Sequence, residues 1–250
     1  LHRVDPRAGA VSDRRHASAE RLADVARAHE LPTGAEDRLA RLLALLAGDR
    51  SAPTTVRAPE RAVDIHVADS LSALELDVVR QATQVADLGA GAGFPGLALA
   101  AALPATKVSL VESVGRKCAF IERAIATAGI ANATAVCGRA EEWRDGTGRH
   151  DLVTARALAP LNVIAEYAAP LLALGGALVA WKGARNAGEE ADAAAAAAVL
   201  GLEAREVRRV EPFPAAEHRN LHVYLKVTET PPRFPRRPGM ARKRPLRPST

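Results

Sequence analysis

The feature that most constrains this chain is the segment 85–99, VADLGAGAGFPGLAL, in which an apolar stretch runs into closely spaced glycines. Residues 83–88 are apolar enough for a buried strand, and Pro95 suits the start of a following helix. Glycine adopts positive φ and lets a ligand approach the backbone closely. A helix N-terminus behind such a turn presents free N–H groups. The pattern predicts a nucleotide-type cofactor pocket at the carboxyl edge of a parallel sheet.

Two kinds of ligand fit this loop. Gly91, Gly93 and Gly96 satisfy the G-x-G-x-x-G fingerprint of dinucleotide-binding proteins. Glu112 ends the next apparent strand, at the distance where a ribose-binding acid belongs. S-adenosylmethionine presents the same ribose without a phosphate, and it carries an amino group and a sulfonium. Asp87, directly before the glycines, favours this phosphate-free cation over NAD.

Strand-like and helix-like segments alternate along the chain. We predict helices over 17–30, 35–48, 63–76, 115–128, 160–174 and 188–200, in addition to the helix after the glycine loop. We predict strands over 83–88, 107–112, 133–137, 151–155, 177–181, 203–211 and 221–228. This alternation indicates an α/β fold with a mostly parallel sheet covered on both faces. The last two strands have no helix between them, which predicts one antiparallel edge strand.

The positive charge of the chain is concentrated at its end. Residues 231–250 hold seven Lys or Arg and no acid, whereas the remainder has 27 basic against 29 acidic residues. Clustered cations without balancing acids favour a polyanion partner, most simply nucleic acid. The alternative is a solvated, disordered end, since Pro-rich basic termini resist regular structure. We therefore divide the chain into an N-terminal helical extension (1–62), a central domain (63–230) and a basic Pro-rich tail (231–250).

Several classes of protein are disfavoured by what the sequence lacks. The seven histidines are scattered without metal-ligand spacing, so we expect no metal. The chain has no P-loop and no G-x-S-x-G elbow. Two cysteines, Cys118 and Cys137, make no disulfide framework, and no run of 18 apolar residues occurs. We expect a cytoplasmic protein without membrane contact.

The end of the fourth predicted strand narrows the chemistry further. It reads Thr154-Ala155-Arg156-Ala157-Leu158. Methyltransferases acting on exocyclic amines usually carry an Asp/Asn-Pro-Pro-aromatic clamp at this place. Its absence, together with the lack of a convincing Cys nucleophile, leaves an acceptor that needs no general base, such as a purine ring nitrogen.

In combination, these motifs resemble a known family. They are His66-x-x-Asp69-Ser70-Leu71, the loop from Asp87 to Gly96, Glu112-Ser113, Arg139-Ala140-Glu141, Thr154-Ala155-Arg156-Ala157, Lys182-Gly183, and a tail with Arg236-Arg237-Pro238-Gly239, Lys243 and Pro245-Leu246. Over residues 15–245 the chain is similar to the bacterial 16S ribosomal RNA guanine-N7 methyltransferase G family, also called glucose-inhibited division protein B. The sequence departs from the family at Arg219-Asn220-Leu221-His222, where the family often has Arg-His-Leu.

The resemblance implies a class I (Rossmann-like) S-adenosylmethionine-dependent methyltransferase with an N-terminal helical extension. It implies methyl transfer from S-adenosylmethionine to N7 of a guanine in 16S ribosomal RNA. The cofactor-binding residues are then Asp87, Gly89, Gly91, Phe94, Glu112, Ala140, Glu141 and Arg156. Glu112 would accept the ribose hydroxyls, and Ala140 and Glu141 would lie beside the adenine. His66 and Asp69 would organise the pocket floor, and no residue is assigned as a general base.

The partner implied is 16S ribosomal RNA or the small ribosomal subunit, met by a monomer. The candidate RNA-binding residues are Lys182, Arg219, Arg236, Arg237, Lys243 and Arg244. We expect the tail to serve RNA binding and not cofactor binding. Two alternatives stay open: an NAD(P)-dependent oxidoreductase using the same glycines, and a non-catalytic RNA-binding protein on the same fold.

Overall fold

The computed structural model describes residues 6–214 and 216–248. Two helices come first, α1 (Pro6–Ala28) and α2 (Ala35–Gly48). The second lies at its predicted bounds, whereas the first was predicted over 17–30 and begins earlier, at Pro6. Leu39, Leu42 and Leu46 recur along one side of α2 and are fully buried. This apolar stripe joins the same hydrophobic cluster as one face of the central sheet, so the N-terminal helices share a core with the rest of the protein.

The predicted helix over 63–76 is helical but not one helix. Its pieces are α3 (Pro59–Ala62), a π-helical turn (Val63–Ala68), α4 (Asp69–Leu71), a 3-10 turn (Ser72–Glu75) and α5 (Asp77–Arg80). The hydroxyl of Ser70 donates to the carbonyl of His66 at 2.5 Å, and that of Ser72 to the carbonyl of Asp69 at 2.7 Å. Such side-chain bonds compete with a regular helix ladder, and π-turns recur at functional sites.

Seven strands form one sheet, in the order β3-β2-β1-β4-β5-β7-β6. They are β1 (Gln84–Leu88), β2 (Lys107–Glu112), β3 (Ala133–Cys137), β4 (His150–Arg156), β5 (Leu172–Lys182), β6 (Leu202–Val210) and β7 (Arg219–Lys226). The first five are parallel. The prediction of a seven-stranded, mostly parallel α/β sheet is confirmed.

Helices cover both faces of the sheet. They are α6 (Gly96–Ala102), α7 (Gly115–Ala128), α8 (Leu161–Ala168) and α9 (Ala187–Leu200), and a short α10 (Met240–Lys243) lies in the tail. Alternate residues of β1 enter two separate clusters, Val85 with α6 and α7, and Leu88 with α8 and α9. Burial on both faces explains why these strands read as continuous apolar runs.

Two details of the predicted sheet were wrong. The helix predicted over 160–174 ends at Ala168, and β5 begins at Leu172 rather than 177, because Pro170 cannot continue a helix and Leu172 pairs with His150. The antiparallel strand is β7, which lies between β5 and β6 and not at the edge. No helix among the described residues is long and apolar enough to cross a membrane.

Candidate active site

The glycine loop joins the end of β1 to the start of α6. Gly89, Gly91 and Gly93 all have positive φ (65°, 59° and 92°), which explains the residue type at each position. At Gly89 a Cβ would also lie 2.6 Å from Cδ1 of Leu158, so any side chain there would require the Leu158 side chain to move. The predicted strand, glycine turn and helix are confirmed.

Asp87 holds this loop from inside and does not line the cavity beside it. Its side chain is fully buried, with Oδ2 accepting from the N–H of Gly96 at 3.0 Å and Oδ1 from the hydroxyl of Thr154 at 2.8 Å. Burial raises the pKa of Asp87 to about 6, against the opposing effect of these hydrogen bonds. The carboxyl therefore accepts a hydrogen bond at the start of α6 and links β1 to β4. This is a positioning role, whereas the sequence had predicted direct contact between Asp87 and the ligand.

Glu112, at the end of β2, faces the loop across the pocket. Its Oε2 accepts from the N–H of Gly91 at 3.1 Å, and its Oε1 accepts from the N–H of Val114 at 2.9 Å. The Nζ of Lys117 lies 3.9 Å from Oε2. Each carboxylate oxygen can accept a second hydrogen bond, so the group is fixed in place while keeping acceptor capacity for a ligand hydroxyl.

A cavity of about 430 Å³ opens beside Glu112. Of the eight predicted cofactor residues, Gly89, Glu112, Ala140 and Glu141 line it. The cavity walls also include residues that sequence reasoning missed, among them Leu158, Tyr167 and Arg242. Tyr167 and Arg242 lie far from the glycine loop in sequence, so no local pattern could have assigned them to this pocket. The cavity is lined by the carboxyl ends of β1 and β2 and by the segments after β3 and β4, the place predicted for it.

Phe94 and Arg156 lie elsewhere, in a compact cluster at the end of β4. The ring of Phe94 stacks on His66 with centroids 4.9 Å apart, and the Arg156 guanidinium carbon is 6.0 Å from the Phe94 centroid. Arg156 donates to Oδ2 of Asp69 at 2.8 Å and to the carbonyl of Ile65 at 3.0 Å. The two remain predicted cofactor residues, but within this structure they serve the cluster rather than the cavity wall.

The cluster contains buried polar atoms without hydrogen-bond partners among the described residues. These are Nδ1 of His66, Oδ1 of Asp69 and Nε of Arg219, the last two lying 3.4 Å apart. The Nε2 of His66 is 3.0 Å from the hydroxyl of Thr54. Burial, reinforced by the charge of Arg156, lowers the pKa of His66 to about 4, so the ring is neutral at pH 7. Buried groups of this kind call for a polar ligand or solvent.

The backbone donors of the loop favour one of the two cofactor classes. The N–H groups of Gly91 and Gly96 are held by the carboxylates of Glu112 and Asp87, and those of Gly89 and Gly93 by backbone carbonyls. A pyrophosphate needs such N–H groups free and is repelled by carboxylates at the same helix terminus. The occupied glycine donors and the two carboxylates therefore favour a ribose and a cation, as in S-adenosylmethionine, over a pyrophosphate.

The predicted RNA-binding cations fall into two groups. Three of them are paired: Lys182 lies 2.6 Å from Glu189, Arg219 lies 3.4 Å from Asp69, and Arg236 binds Glu166. The other three are the tail residues Arg237, Lys243 and Arg244. Their side chains are exposed, and no ion pair within the described residues involves them. The exposed group remains the better set of candidates, because cations paired inside the protein neutralise no phosphate.

Comparisons with known proteins give one consistent result. The family model described as rRNA small subunit methyltransferase G matches residues 37–220. The Ribosomal RNA small subunit methyltransferase G of Rubrobacter xylanophilus is 41% identical over 210 residues, which cover 81% of this chain and 80% of the relative. The protein of the same name from Deinococcus radiodurans is 38% identical over 219 residues, covering 84% and 85%.

Solved structures support the fold independently. A SAM-dependent methyltransferase from Aquifex aeolicus superimposes with a TM-score of 0.54 at 15% identity, covering 74% of this chain and 97% of that protein. A putative sarcosine dimethylglycine methyltransferase from Galdieria sulphuraria gives a TM-score of 0.52, again at 15% identity, over 69% of this chain and 88% of that one. The sheet order and its flanking helices are thus those of this class of fold.

Proposed function

This chain belongs to the ribosomal RNA small subunit methyltransferase G family, and we propose that it transfers the methyl group of S-adenosylmethionine to N7 of a guanine in 16S ribosomal RNA. The observation that carries the proposal is the family match over residues 37–220. The same match disfavours the oxidoreductase alternative, because the relatives that the chain resembles are named as methyltransferases.

Four residues of the cavity wall hold the cofactor in this proposal. Glu112 accepts the ribose hydroxyls with the lone pairs that Gly91 and Val114 leave free. Ala140 and Glu141 lie against the adenine, and Gly89 gives the ligand access to the backbone. Bound S-adenosylmethionine supplies an already activated methyl group on its sulfonium. The protein therefore needs to bind and orient, with no covalent step of its own.

The residues at the end of β4 fit an acceptor that needs no proton removed. No Asp/Asn-Pro-Pro-aromatic clamp is present, and Arg156 is engaged with Asp69. Cys118 is buried, and burial raises its pKa to about 12, so it is a poor nucleophile. Guanine N7 already carries a nucleophilic lone pair. The protein can then accelerate the reaction by aligning guanine N7 with the methyl group and the sulfur. Such orientation of reacting groups lowers an activation barrier by roughly 7–11 kcal/mol.

The cluster of His66, Asp69, Phe94, Arg156 and Arg219 has a positioning role here. It joins the helical stretch before β1 to the end of β4 and the start of β7, directly beside the glycine loop. The Nδ1 of His66 has no hydrogen-bond partner among the described residues and is available for a polar contact beside the site. Because burial lowers the pKa of His66 to about 4, its ring is neutral near pH 7 and can orient a neighbouring group without changing charge.

The substrate in this proposal is 16S ribosomal RNA or the small subunit, approached by a monomer in the cytoplasm. RNA sequence is read on splayed, unstacked bases, so the target guanine must leave its stack to enter the site. Exposed tail cations would hold neighbouring phosphates.

The test is transfer of a labelled methyl group. Purified protein is incubated with methyl-labelled S-adenosylmethionine and either small ribosomal subunits or their extracted RNA. We expect label in 16S RNA with the wild-type chain and a large loss with Glu112→Ala, whereas Glu142→Ala, an exposed neighbour of the pocket, serves as the matched control. Cofactor binding without transfer to any RNA would favour the non-catalytic RNA-binding alternative.

A further inference from the structure

The C-terminal segment 231–248, here called the strap, packs back onto the domain. Phe234 and Ala241 are buried in the hydrophobic cluster that includes α8 and α9. The side-chain amide of Asn162, at the start of α8, donates to the carbonyl of Leu246 at 2.8 Å. The strap is therefore fixed at its beginning, middle and end, which disagrees with the alternative of a solvated, disordered end.

A buried ion pair anchors the strap. Arg236 makes two parallel hydrogen bonds to Glu166 of α8, the first from Nε to Oε1 at 2.7 Å and the second from Nη2 to Oε2. The Glu166 side chain is only 2% exposed. Two-point pairs of this kind fix geometry as well as charge, and removing one partner leaves the other buried and uncompensated. Arg236 is thus occupied by the protein itself.

Beyond this anchor the strap reaches the cavity beside Glu112. The N–H of Gly239 donates to Oε1 of Glu141 at 3.1 Å, so a residue of the cavity wall also holds the strap. Arg242 donates from Nη2 to the carbonyl of Leu158 at 2.8 Å and lines the cavity together with Tyr167. A cation of the strap and a phenol of α8 thereby close the side of the cavity near Ala140.

We infer that the strap is a wall of the cofactor pocket, and that Arg242 and Tyr167 are further cofactor-binding residues on its adenosine side. The inference rests on the proposed function, since it takes the cavity to be the cofactor site. It departs from the expectation that the tail serves RNA alone. Arg242 and the strap cations Arg237, Lys243 and Arg244 are all exposed, but of these four only Arg242 lines the cavity.

The experiment measures S-adenosylhomocysteine binding by calorimetry. The proteins are the full chain, Arg242→Ala, Tyr167→Phe, Glu166→Gln and a chain ending at Thr230. Arg247→Ala is the matched control, an arginine of the same strap that contacts Asp192 at 3.5 Å and does not line the cavity. Circular dichroism and melting curves identify any variant that fails to fold, and the point variants keep the test valid if the shortened chain does.

We expect Arg242→Ala to bind S-adenosylhomocysteine about 10- to 100-fold more weakly, the range of one or two charge-assisted hydrogen bonds. Glu166→Gln and the shortened chain should lose at least as much affinity for S-adenosylhomocysteine. The affinity of Arg247→Ala should stay within about twofold of that of the full chain. Methylthioadenosine should show the same loss as S-adenosylhomocysteine, because it shares the adenosine half.

The outcomes separate the two proposals. If the full chain binds S-adenosylhomocysteine and the folded Arg242→Ala and Glu166→Gln proteins bind it equally well, the strap is no pocket wall and the inference is overturned. If these variants bind S-adenosylhomocysteine more weakly but bind methylthioadenosine as well as the full chain does, the strap does not act on the adenosine side and the inference is equally wrong. If the full chain binds neither compound, the proposed function falls as well.

Discussion

Asp87→Asn should change how stability depends on pH. Asp87 is fully buried, and burial raises its pKa to about 6 in the folded protein from an ordinary value of 3.8. Between these values the folded protein holds a proton that the unfolded chain has released. Stability therefore falls as pH rises through this window, and the penalty is complete above about pH 6. Integrated from pH 4.5 to 7.5, the two pKa values give a loss of about 2 kcal/mol.

Asparagine removes this dependence, because it has the shape of aspartate and does not titrate. Its amide oxygen can accept from the N–H of Gly96, and its amide nitrogen can donate to the hydroxyl of Thr154. The difference in unfolding free energy between the variant and wild type should therefore shift by about 2 kcal/mol in favour of the variant between pH 4.5 and pH 7.5. This shift does not depend on whether the variant is more or less stable than wild type at pH 4.5.

Urea unfolding at the two pH values measures the effect directly. Asp145→Asn makes the same chemical change at an exposed position and controls for any general effect of amidation. A difference between Asp87→Asn and wild type that is the same at both pH values, within about 0.5 kcal/mol, would refute the reasoning, because stabilities of this kind are resolved to that level.

Three further predictions concern the pocket and the strap. Glu112→Ala should weaken S-adenosylhomocysteine binding by roughly 1.5–3 kcal/mol in calorimetry, since it removes a charged acceptor of the ribose; affinity equal to wild type would contradict its role. Gly89→Ala should abolish detectable cofactor binding and lower the melting temperature, because the new Cβ meets Leu158 at 2.6 Å and the residue has a φ of +65°; retained binding would show that the loop can yield. The exposed strap cations Arg237, Lys243 and Arg244 should contribute to RNA binding through phosphates. Replacing all three by Gln should reduce the slope of log affinity against log salt concentration by about 2, at about 0.7 per phosphate on a single strand. An unchanged slope would exclude them from the RNA contact.

The sequence predicted those features that depend on local pattern. The strand, glycine turn and helix around Asp87 combine apolar periodicity with glycines at positions of positive φ, and both signals are local. Helix α7 was placed at its observed bounds for the same reason, since its apolar stripe is regular and Gly129 ends it in the left-handed conformation.

What could not be predicted depends on contacts between distant residues. Asp87 reads as a ligand contact in sequence, but Thr154 lies 67 residues away, and only the folded sheet brings its hydroxyl to the carboxyl. The partner of Arg236 lies 70 residues earlier, so the charge of the tail predicted an RNA contact where the fold uses one arginine as an anchor. The start of β5 shows the same limit: Leu172 lies in the predicted helix over 160–174, but it pairs with His150 of β4 and is part of the strand.

The most direct measurement of the central claim is the chemical identity of the methylated base. RNA from small subunits treated with the protein and S-adenosylmethionine is reduced with borohydride and then treated with aniline, which cleaves the chain at N7-methylguanine. We predict scission at a single guanine of 16S RNA with the wild-type protein, and none with Glu112→Ala. RNA that carries the label and resists cleavage, or label found only in protein, would contradict the assignment of N7 of guanine as the acceptor.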